Sequence, residues 1–149
     1  MGSAQLEKHL GYWLRLVSNQ VSAAFARALQ ERGVSLAEWV VLAHLDAAPA
    51  LSAVELAAAM GMTRGAISKV LDKLEAKEWI ARAVSPADNR VQVLSLTRRG
   101  RRRLPELIGL ADANDGHFFG ALDASDQAQL RALLARLAQT HGLRSAPIE

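Results

Sequence analysis

The stretch that decides the fold covers residues 52–90 and reads SAVELAAAMGMTRGAISKVLDKLEAKEWIARAVSPADNR. It opens with Ser52-Ala-Val-Glu55, a capping box in which the hydroxyl and the carboxylate each accept a hydrogen bond from a free amide at a helix start. A helix is therefore predicted to begin there. Gly61 supplies the positive φ of a sharp turn, so this helix should end at Met60.

A second helix is predicted at once, with Thr63 as its N-cap. Its apolar residues recur at the spacing of a buried stripe: Ile67, Val70, Leu71 and Leu74. The opposite face begins with donors and small side chains suited to a DNA major groove: Arg64, Gly65, Ala66, Ser68 and Lys69. The pair indicates a helix-turn-helix, although ordinary amphipathic helix pairs share this pattern.

A β-hairpin is predicted directly after the helix pair. The runs 80–84 and 91–96 are rich in Val, Ile and Leu, and the loop between them, SPADNR, consists of turn formers. A helix-turn-helix followed by a hairpin is a winged helix. Its tip would present Arg90, a permanently charged side chain suited to a narrow minor groove, and Thr97 should cap a further helix.

The residues from Asp88 to Gly100 resemble the signature of the multiple-antibiotic-resistance regulator (MarR) family of bacterial transcription factors. The family pattern is an Asp-x-Arg wing, a few β residues and Leu-Thr-x-x-Gly, which stands here as DNR at 88–90 and LTRRG at 96–100. Residues 66–75 are similar to the family's recognition helix, and the likeness covers nearly the whole chain. One departure is Glu78, where members usually have the glycine that ends the recognition helix.

The resemblance implies a mainly α protein, a winged helix-turn-helix between long N- and C-terminal dimerisation helices. Residues 1–32 would form the N-terminal dimerisation helix, 33–97 the DNA-binding region and 98–149 the C-terminal dimerisation helices, all within one interleaved domain. The recognition helix would span about 63–77 and the wing about 80–96.

Composition supports this class and excludes others. The chain has 149 residues, half of them hydrophobic and 5% aromatic, which favours one mainly helical domain. It has no cysteine, so disulfides and thiolate metal sites are excluded. No apolar run approaches the ~18 residues of a membrane span and no secretory signal is evident, so we expect a cytoplasmic protein without membrane contact.

Charge is concentrated in the predicted DNA-binding part. Residues 63–103 contain eleven Lys and Arg but four Asp and Glu, a net charge of +7 in a chain whose total is +3. A basic block within an otherwise acidic protein is typical of a nucleic-acid-binding face, although charge runs are often only solvated surface.

Flanking helices are predicted on both sides. Helical spacing of apolar residues predicts one helix from about residue 5 to residue 31. Residues 36–45 follow a second capping box, Ser35 to Glu38, and are apolar on all sides, so this helix should be buried between the first helix and the DNA-binding unit. Leu51 would add a third strand to the wing, as in the family.

The C-terminal third predicts two more helices. The first should run from Thr97 to about Gly120, with Pro105 either kinking it or delaying its regular part. Asp123 should cap the second, which Gly142 and Pro147 close and whose apolar stripe is Leu130, Leu133, Leu134 and Leu137. In the family the terminal helices of two subunits interlock. Such a homodimer would present two recognition helices about one DNA turn apart, to a near-palindromic operator in double-stranded DNA.

Specific roles follow for the DNA-binding face. The residues expected in the major groove are Thr63, Arg64, Gly65, Ala66, Ser68 and Lys69. Lys73 and Arg98 are expected to contact phosphates and Arg90 to enter the minor groove. Asp88 should hold Arg90 or the wing backbone in place without touching DNA.

Members of the family commonly bind small aromatic or phenolic acids between the dimerisation helices and the winged helix. The candidates here are Trp13 and Trp39 as stacking walls, His44 as a polar contact and Arg82 as a carboxylate anchor. Each has a plainer alternative, because a tryptophan at helical spacing usually belongs to the core and Arg82 could bind phosphate or Asp88.

Catalysis is not expected, and neither is a cofactor. The four histidines, His9, His44, His117 and His141, stand singly, and no serine lies in a nucleophile motif. A metal site joining His9, His117 and a carboxylate is a minor alternative.

We therefore expect a dimeric, sequence-specific transcriptional regulator, a repressor of its own or neighbouring genes that a small aromatic or phenolic ligand releases. The alternative is a winged-helix protein-interaction module. Such modules tend to lose the basic wing tip and helix face, and both are present here.

Overall fold

The computed structural model describes residues 3–144. Within this range the chain forms the predicted winged helix, flanked by longer helices. In chain order the elements are α1 (Leu10–Gln30), α2 (Leu36–Ala47), β1 (Leu51–Ser52), α3 (Ala53–Met60), α4 (Arg64–Ala76), β2 (Ile80–Val84), β3 (Gln92–Leu96), α5 (Arg98–Phe119) and α6 (Ala124–Thr140). None of the described helices combines the length and apolar character needed to cross a membrane.

Local hydrogen bonds start the central helices where the sequence predicts. Ser35 Oγ accepts from the Glu38 amide, and Glu38 Oε1 accepts from the Ser35 amide, both at 3.1 Å. Ser52 and Glu55 form the second capping box at the start of α3. These bonds satisfy amides that a helix N-terminus would otherwise leave without partners.

The helix-turn-helix is confirmed. α3 ends at Met60, and the next residue, Gly61, has a φ of +63° that turns the chain towards α4. Thr63 Oγ1 then accepts from the Ala66 amide at 3.1 Å, which caps α4. The apolar face of α4 is buried through Ile67, Leu71 and Leu74, so its polar face is held outward.

The wing is a three-stranded antiparallel sheet in the order β1-β3-β2. Leu51 pairs with Leu94, which confirms the expected third strand. β2 pairs with β3 from Ile80 opposite Leu96 to Val84 opposite Gln92. The second hairpin strand therefore begins one residue later than predicted.

One hydrophobic core joins the helices to the sheet. Val41, Leu42 and Leu45 of α2 are each at most 2% exposed. α2 packs against α3, α4, α5 and β3, and its Trp39 meets Phe25 of α1. The predicted position of α2, between the first helix and the DNA-binding unit, is confirmed.

The predicted single helix over 5–31 is wrong at its start. Leu6–Lys8 form a 3-10 turn, and His9 is extended with φ −100° and ψ 127°, so α1 begins only at Leu10. The Trp13 indole nitrogen donates to the Glu7 carbonyl at 2.8 Å. The Glu7 carbonyl thus accepts from a side chain and not from a helical amide. The periodicity of apolar residues does not reveal such a bond.

The C-terminal helices largely follow the sequence prediction. α5 begins at Arg98 and includes Pro105, so the proline does not delay its regular part. The lost amide leaves the Arg101 carbonyl without its helical donor, but both residues are exposed and water can replace it. Asp123 caps α6 as predicted, and Gly142 follows it with φ +64°. Pro147 lies outside the described residues.

The turn between α4 and β2 contains the departure from the family pattern. Glu78 adopts φ +62°, so it occupies the left-handed conformation that glycine would adopt without strain. The Trp79 amide donates to the Leu74 carbonyl at 3.0 Å and closes this turn. The recognition helix is thus followed by a left-handed turn, kept in spite of the glutamate.

The Leu-Thr-x-x-Gly motif closes the same junction. The Thr97 amide donates to the Trp79 carbonyl at 3.0 Å, and Thr97 Oγ1 donates to the Glu78 carbonyl while accepting from the Gly100 amide. A Cβ on Gly100 would lie 2.1 Å from the Trp79 carbonyl oxygen. Glycine is therefore required where α5 crosses the end of the recognition helix.

Replacing Glu78 with glycine should stabilise the protein. Glu78→Gly relieves a left-handed residue and loses only an exposed ion pair with Arg99, so we expect a gain of about 0.5–1 kcal/mol in the free energy of unfolding. Ala76→Gly, in the last turn of α4, is the control and should destabilise by up to about 1 kcal/mol. Urea unfolding measures both, and a loss of stability in Glu78→Gly would contradict the strain assignment.

Gly100→Ala should destabilise the fold, because a methyl group would collide with a backbone carbonyl that cannot move without disturbing β2. We expect a loss of about 2–3 kcal/mol. The control is Gly109→Ala in the same helix, where a Cβ meets nothing within 4 Å and helix propensity should give a gain of up to about 1 kcal/mol. Equal unfolding midpoints for the two variants would contradict the close approach.

Candidate nucleic-acid interface

The outer face of α4 carries most of the residues predicted to contact DNA. All of them are exposed except Ala66, which is half-buried: Thr63, Arg64, Gly65, Ser68, Lys69 and Lys73. Helical periodicity places Gly65 and Lys69 opposite the buried stripe of Ile67, Leu71 and Leu74, with Ser68 and Lys73 on its two flanks. Thr63 and Arg64 are exposed because they lie at the start of the helix. The core thus fixes which face of the recognition helix is available to a ligand.

The wing tip holds its arginine in a defined orientation. Arg90 is 90% exposed, and its Nε and Nη2 donate to the Asp88 carboxylate at 3.2 and 3.3 Å. The Arg90 amide donates to Asp88 Oδ1 at 3.0 Å. Asp88 was predicted to hold this arginine or the wing backbone, and in the structure it holds both.

The same contacts fix the charge of Asp88. The Arg90 side chain, and then its amide, hold the pKa of the Asp88 carboxyl below its usual range. The carboxylate is therefore ionised at neutral pH, as a partner of the Arg90 guanidinium must be.

Arg82 has partners that the sequence did not reveal. It donates to Asp72 at 2.8 Å and to Glu75 at 2.5 Å, so it ties β2 to α4. It is not paired with Asp88, the partner considered from the sequence. The two carboxylates occupy its guanidinium, so the predicted carboxylate anchor is engaged within the protein. Asp72 and Glu75 stand three residues apart in the predicted helix, but nothing in the sequence shows that Arg82 is the cation that they bind.

The ion pairs also divide the basic block into two groups. Five of its cations pair with carboxylates: Lys77, Arg82, Arg90, Arg99 and Arg103. The other six make no ion pair among residues 3–144: Arg64, Lys69, Lys73, Arg98, Arg101 and Arg102. Arg64, Lys69 and Lys73 are on the recognition helix. They could bind a polyanion without first breaking an ion pair.

Arg98 is separated from the major-groove candidates. It follows Thr97, which is bonded to Glu78 and Trp79 at the C-terminal end of α4. Arg64 lies at the other end of that 13-residue helix, about 20 Å away. The structure therefore brings Arg64, Ser68 and Lys69 together and leaves Arg98 outside that group.

The four ligand candidates do not form one site in a single chain. Trp13 is 46% exposed on α1, while Trp39 packs edge-on against Phe25 with ring centroids 5.9 Å apart. His44 is half-buried in the last turn of α2. A small cleft of about 160 Å³ does lie between α1, α2 and α5, and is lined by Val21, Ser22, Phe25, Leu36, Ala111, Asn114 and Asp115.

A larger groove lies between α1 and α6. Its volume is about 610 Å³, and its walls are almost entirely apolar: Leu10, Trp13, Leu14, Val17, Val21, Leu130, Leu133, Leu134 and Leu137 among them. α6 buries none of its residues in the described chain. The apolar stripe predicted for α6 is present, but no other segment of residues 3–144 buries it.

Comparison with known proteins agrees with this geometry. A MarR family model matches residues 32–90, the segment from the end of α1 to the wing tip. The HTH-type transcriptional repressor Rv2887 of Mycobacterium tuberculosis is 33% identical over 128 residues, which cover 86% of this chain and 92% of that protein. The chain belongs to the MarR family. The family is one of transcriptional regulators.

Solved structures of other members share the whole fold. CouR, a transcriptional repressor bound to a 23-mer DNA duplex, is 28% identical with a TM-score of 0.83, over 93% of this chain and 98% of that one. The structure of Rv2887 in complex with p-aminosalicylic acid is 32% identical with a TM-score of 0.70, over 87% and 98%. The similarity therefore includes the terminal helices as well as the winged helix.

Proposed function

We propose that this protein is a homodimeric repressor that binds a near-palindromic operator and is released by a small aromatic or phenolic ligand. One observation carries the proposal: the core turns the free cations of α4 outward while Asp88 holds the exposed Arg90 at the wing tip. That combination suits simultaneous contact with a major groove and the neighbouring minor groove. The place of action would be the cytoplasm, where bacterial DNA lies.

The proposed DNA contacts follow the exposed face. Arg64 would read a guanine, Ser68 and Lys69 would contact a base edge or phosphate, and Gly65 with Ala66 would let the helix approach closely. Thr63 would contact the backbone at the helix start. Lys73 would meet a phosphate further along α4, and Arg98 would contact at most a flanking phosphate.

The proposed dimer uses the apolar groove between α1 and α6. Trp13 and Leu14 on one wall, and Leu133 and Leu137 on the other, are each 46–54% exposed in the single chain. A continuous apolar surface of this kind is typical of an interface between subunits. A second copy offers the matching surface, and the similarity to CouR and Rv2887 extends over these helices.

The proposed ligand would bind beside α1, α2 and α5, where the small cleft lies. Support comes from Rv2887, whose structure contains an aromatic acid. Arg82 is held by two carboxylates, so an acid here would need another partner or would have to break those pairs. Trp39 and His44 remain the candidates nearest the core, and Trp13 belongs to the subunit groove.

We propose no catalytic role. The family relatives are named as repressors, and none of the described residues form a cluster of three or more metal-ligating side chains. The competing function is a winged-helix module that binds another protein. The exposed Arg64, Lys69 and Arg90 favour DNA.

Fluorescence anisotropy tests the proposal. Labelled DNA from immediately upstream of the protein's own gene is titrated at two salt concentrations, with unrelated DNA of equal length as the control. We expect tight binding to the upstream fragment, weaker binding at high salt and much weaker binding to the control. Equal binding to both fragments at each salt concentration would favour the protein-interaction module.

Arg90→Ala and Arg64→Ala should weaken DNA binding in different ways. Arg90→Ala removes a contact that carries little sequence information, so affinity should fall on every fragment and the salt slope should decrease by about 1. Arg64→Ala should cost about 1–3 kcal/mol and relax specificity at one base pair. Arg136→Ala, which removes an equal charge from α6, is the control. Wild-type affinity of Arg90→Ala at physiological salt would contradict the wing assignment.

Leu134→Glu should dissociate the dimer, because it places a charge in the apolar groove. We expect the dimer dissociation constant to rise about tenfold or more in analytical ultracentrifugation. Ala132→Glu adds the same charge to an exposed position of α6 outside the groove, and should leave the constant within about twofold. Equal effects of the two substitutions would place the subunit interface elsewhere.

A further inference from the structure

Two cations contact the Trp79 ring just beyond the end of the recognition helix. The Lys77 ammonium is 4.9 Å from the centroid of its ring and the Arg103 guanidinium is 5.2 Å away. Cations at these distances are attracted by the negative face of an indole. Neither cation is free to contact DNA in this arrangement, so the function proposed above leaves both unexplained.

Both cations also hold the loop that follows α1. Lys77 Nζ donates to the Gly33 carbonyl at 2.7 Å, and Arg103 Nη2 donates to the Arg32 carbonyl at 3.3 Å. These carbonyls lie just beyond the C-terminus of α1, where the helix dipole favours positive charge. The end of α1 is thereby fastened to residues that follow α4 and residues in α5.

A buried carboxylate adds a second fastening. Glu38 is 4% exposed, and its Oε2 accepts from Lys77 at 2.5 Å while its Oε1 caps α2. Loss of the lysine would leave a buried charge without a partner, which is strongly unfavourable. The start of α2 is therefore also tied to the end of the recognition helix.

Glu106 completes the cluster on the α5 side. It accepts from Arg32 at 2.7 Å and from Arg103 at 2.8 Å. We call the cluster of Lys77, Trp79, Arg103, Glu38 and Glu106 the Trp79 joint. It connects α1, which carries the proposed subunit interface, to the C-terminal end of α4, which carries the proposed DNA contacts.

We propose that Trp79 and Lys77 are positioning residues that set the tilt of the recognition helix relative to α1, and so fix the operator spacing that the dimer accepts. The inference rests on the proposed function. A tilt of about 10° at the joint would move the far end of α4, about 20 Å away, by about 3.5 Å, close to the rise of one base pair. Arg64 lies at that far end, so a small change at the joint changes the register of the DNA contacts.

The test compares duplexes whose half-sites are at the operator spacing, or one base pair closer or further apart. Wild type should prefer one spacing. Trp79→Leu, which keeps apolar bulk and loses the cation contacts, should bind the preferred duplex about tenfold more weakly and should discriminate between spacings by no more than about twofold. Trp79→Tyr keeps an aromatic face for both cations and should keep the wild-type preference.

Arg99→Met is the matched control, because Arg99 pairs with Glu78 at the same turn but does not contact the loop after α1. It should retain the wild-type preference. Unfolding midpoints and sedimentation identify any variant that does not fold or dimerise. If Trp79→Leu lowered affinity equally at every spacing, or kept the wild-type preference, the positioning role would be overturned.

A second readout separates this inference from the proposed function. The chain contains no cysteine, so Ala59→Cys on the exposed face of α3 carries a single spin label per subunit. Double electron–electron resonance without DNA should give a narrow distance distribution in the otherwise wild-type dimer and in Trp79→Tyr, and a broad or shifted one in Trp79→Leu. Absent DNA binding with this pattern would reject the proposed function but support the joint. Unchanged distances in Trp79→Leu would overturn the joint.

Discussion

The Trp79 carbonyl is the point on which the arrangement of this winged helix depends. It accepts the Thr97 amide at 3.0 Å, and α5 crosses it at Gly100, closer than any side chain permits. These contacts bring together the turn after α4, the N-terminal end of α5 and the start of β2. The left-handed Glu78 is the local strain that the junction tolerates, since the bonds around it determine the backbone there.

The orientation of the proposed DNA face depends on the packing of α4 and of the wing. Buried leucines behind α4 fix its rotation, while Arg82 fixes the wing against it through Asp72 and Glu75. Internal ion pairs engage several cations of the basic block and leave Arg64, Lys69 and Lys73 without partners in the described chain. The ion pairs within the block therefore indicate which cations can bind DNA better than its net charge does. Cations without internal partners can bind phosphates without first losing a contact.

Local features were predictable from the sequence, because their causes lie within a few residues. The capping boxes at Ser35 and Ser52, the turn at Gly61 and the hairpin all follow from short-range chemistry. The Asp88–Arg90 pair was predictable for the same reason.

Contacts between distant segments were not predictable: the Glu38–Lys77 pair joins residues 39 positions apart. For Arg82, the sequence offered phosphate, a ligand or Asp88, and only the packing of β2 on α4 selects other partners. The break at His9 was also missed, because apolar periodicity continues across it.

We propose that two copies of this chain read DNA together through α4 and the wing. Selection of binding sites from random-sequence DNA, followed by hydroxyl-radical footprinting of the enriched sequence, tests it most directly. We expect an inverted repeat whose half-sites are protected about 10 base pairs apart, each with protection extending into a flanking minor groove. Enrichment of no sequence, or of a single half-site without symmetry, would contradict it.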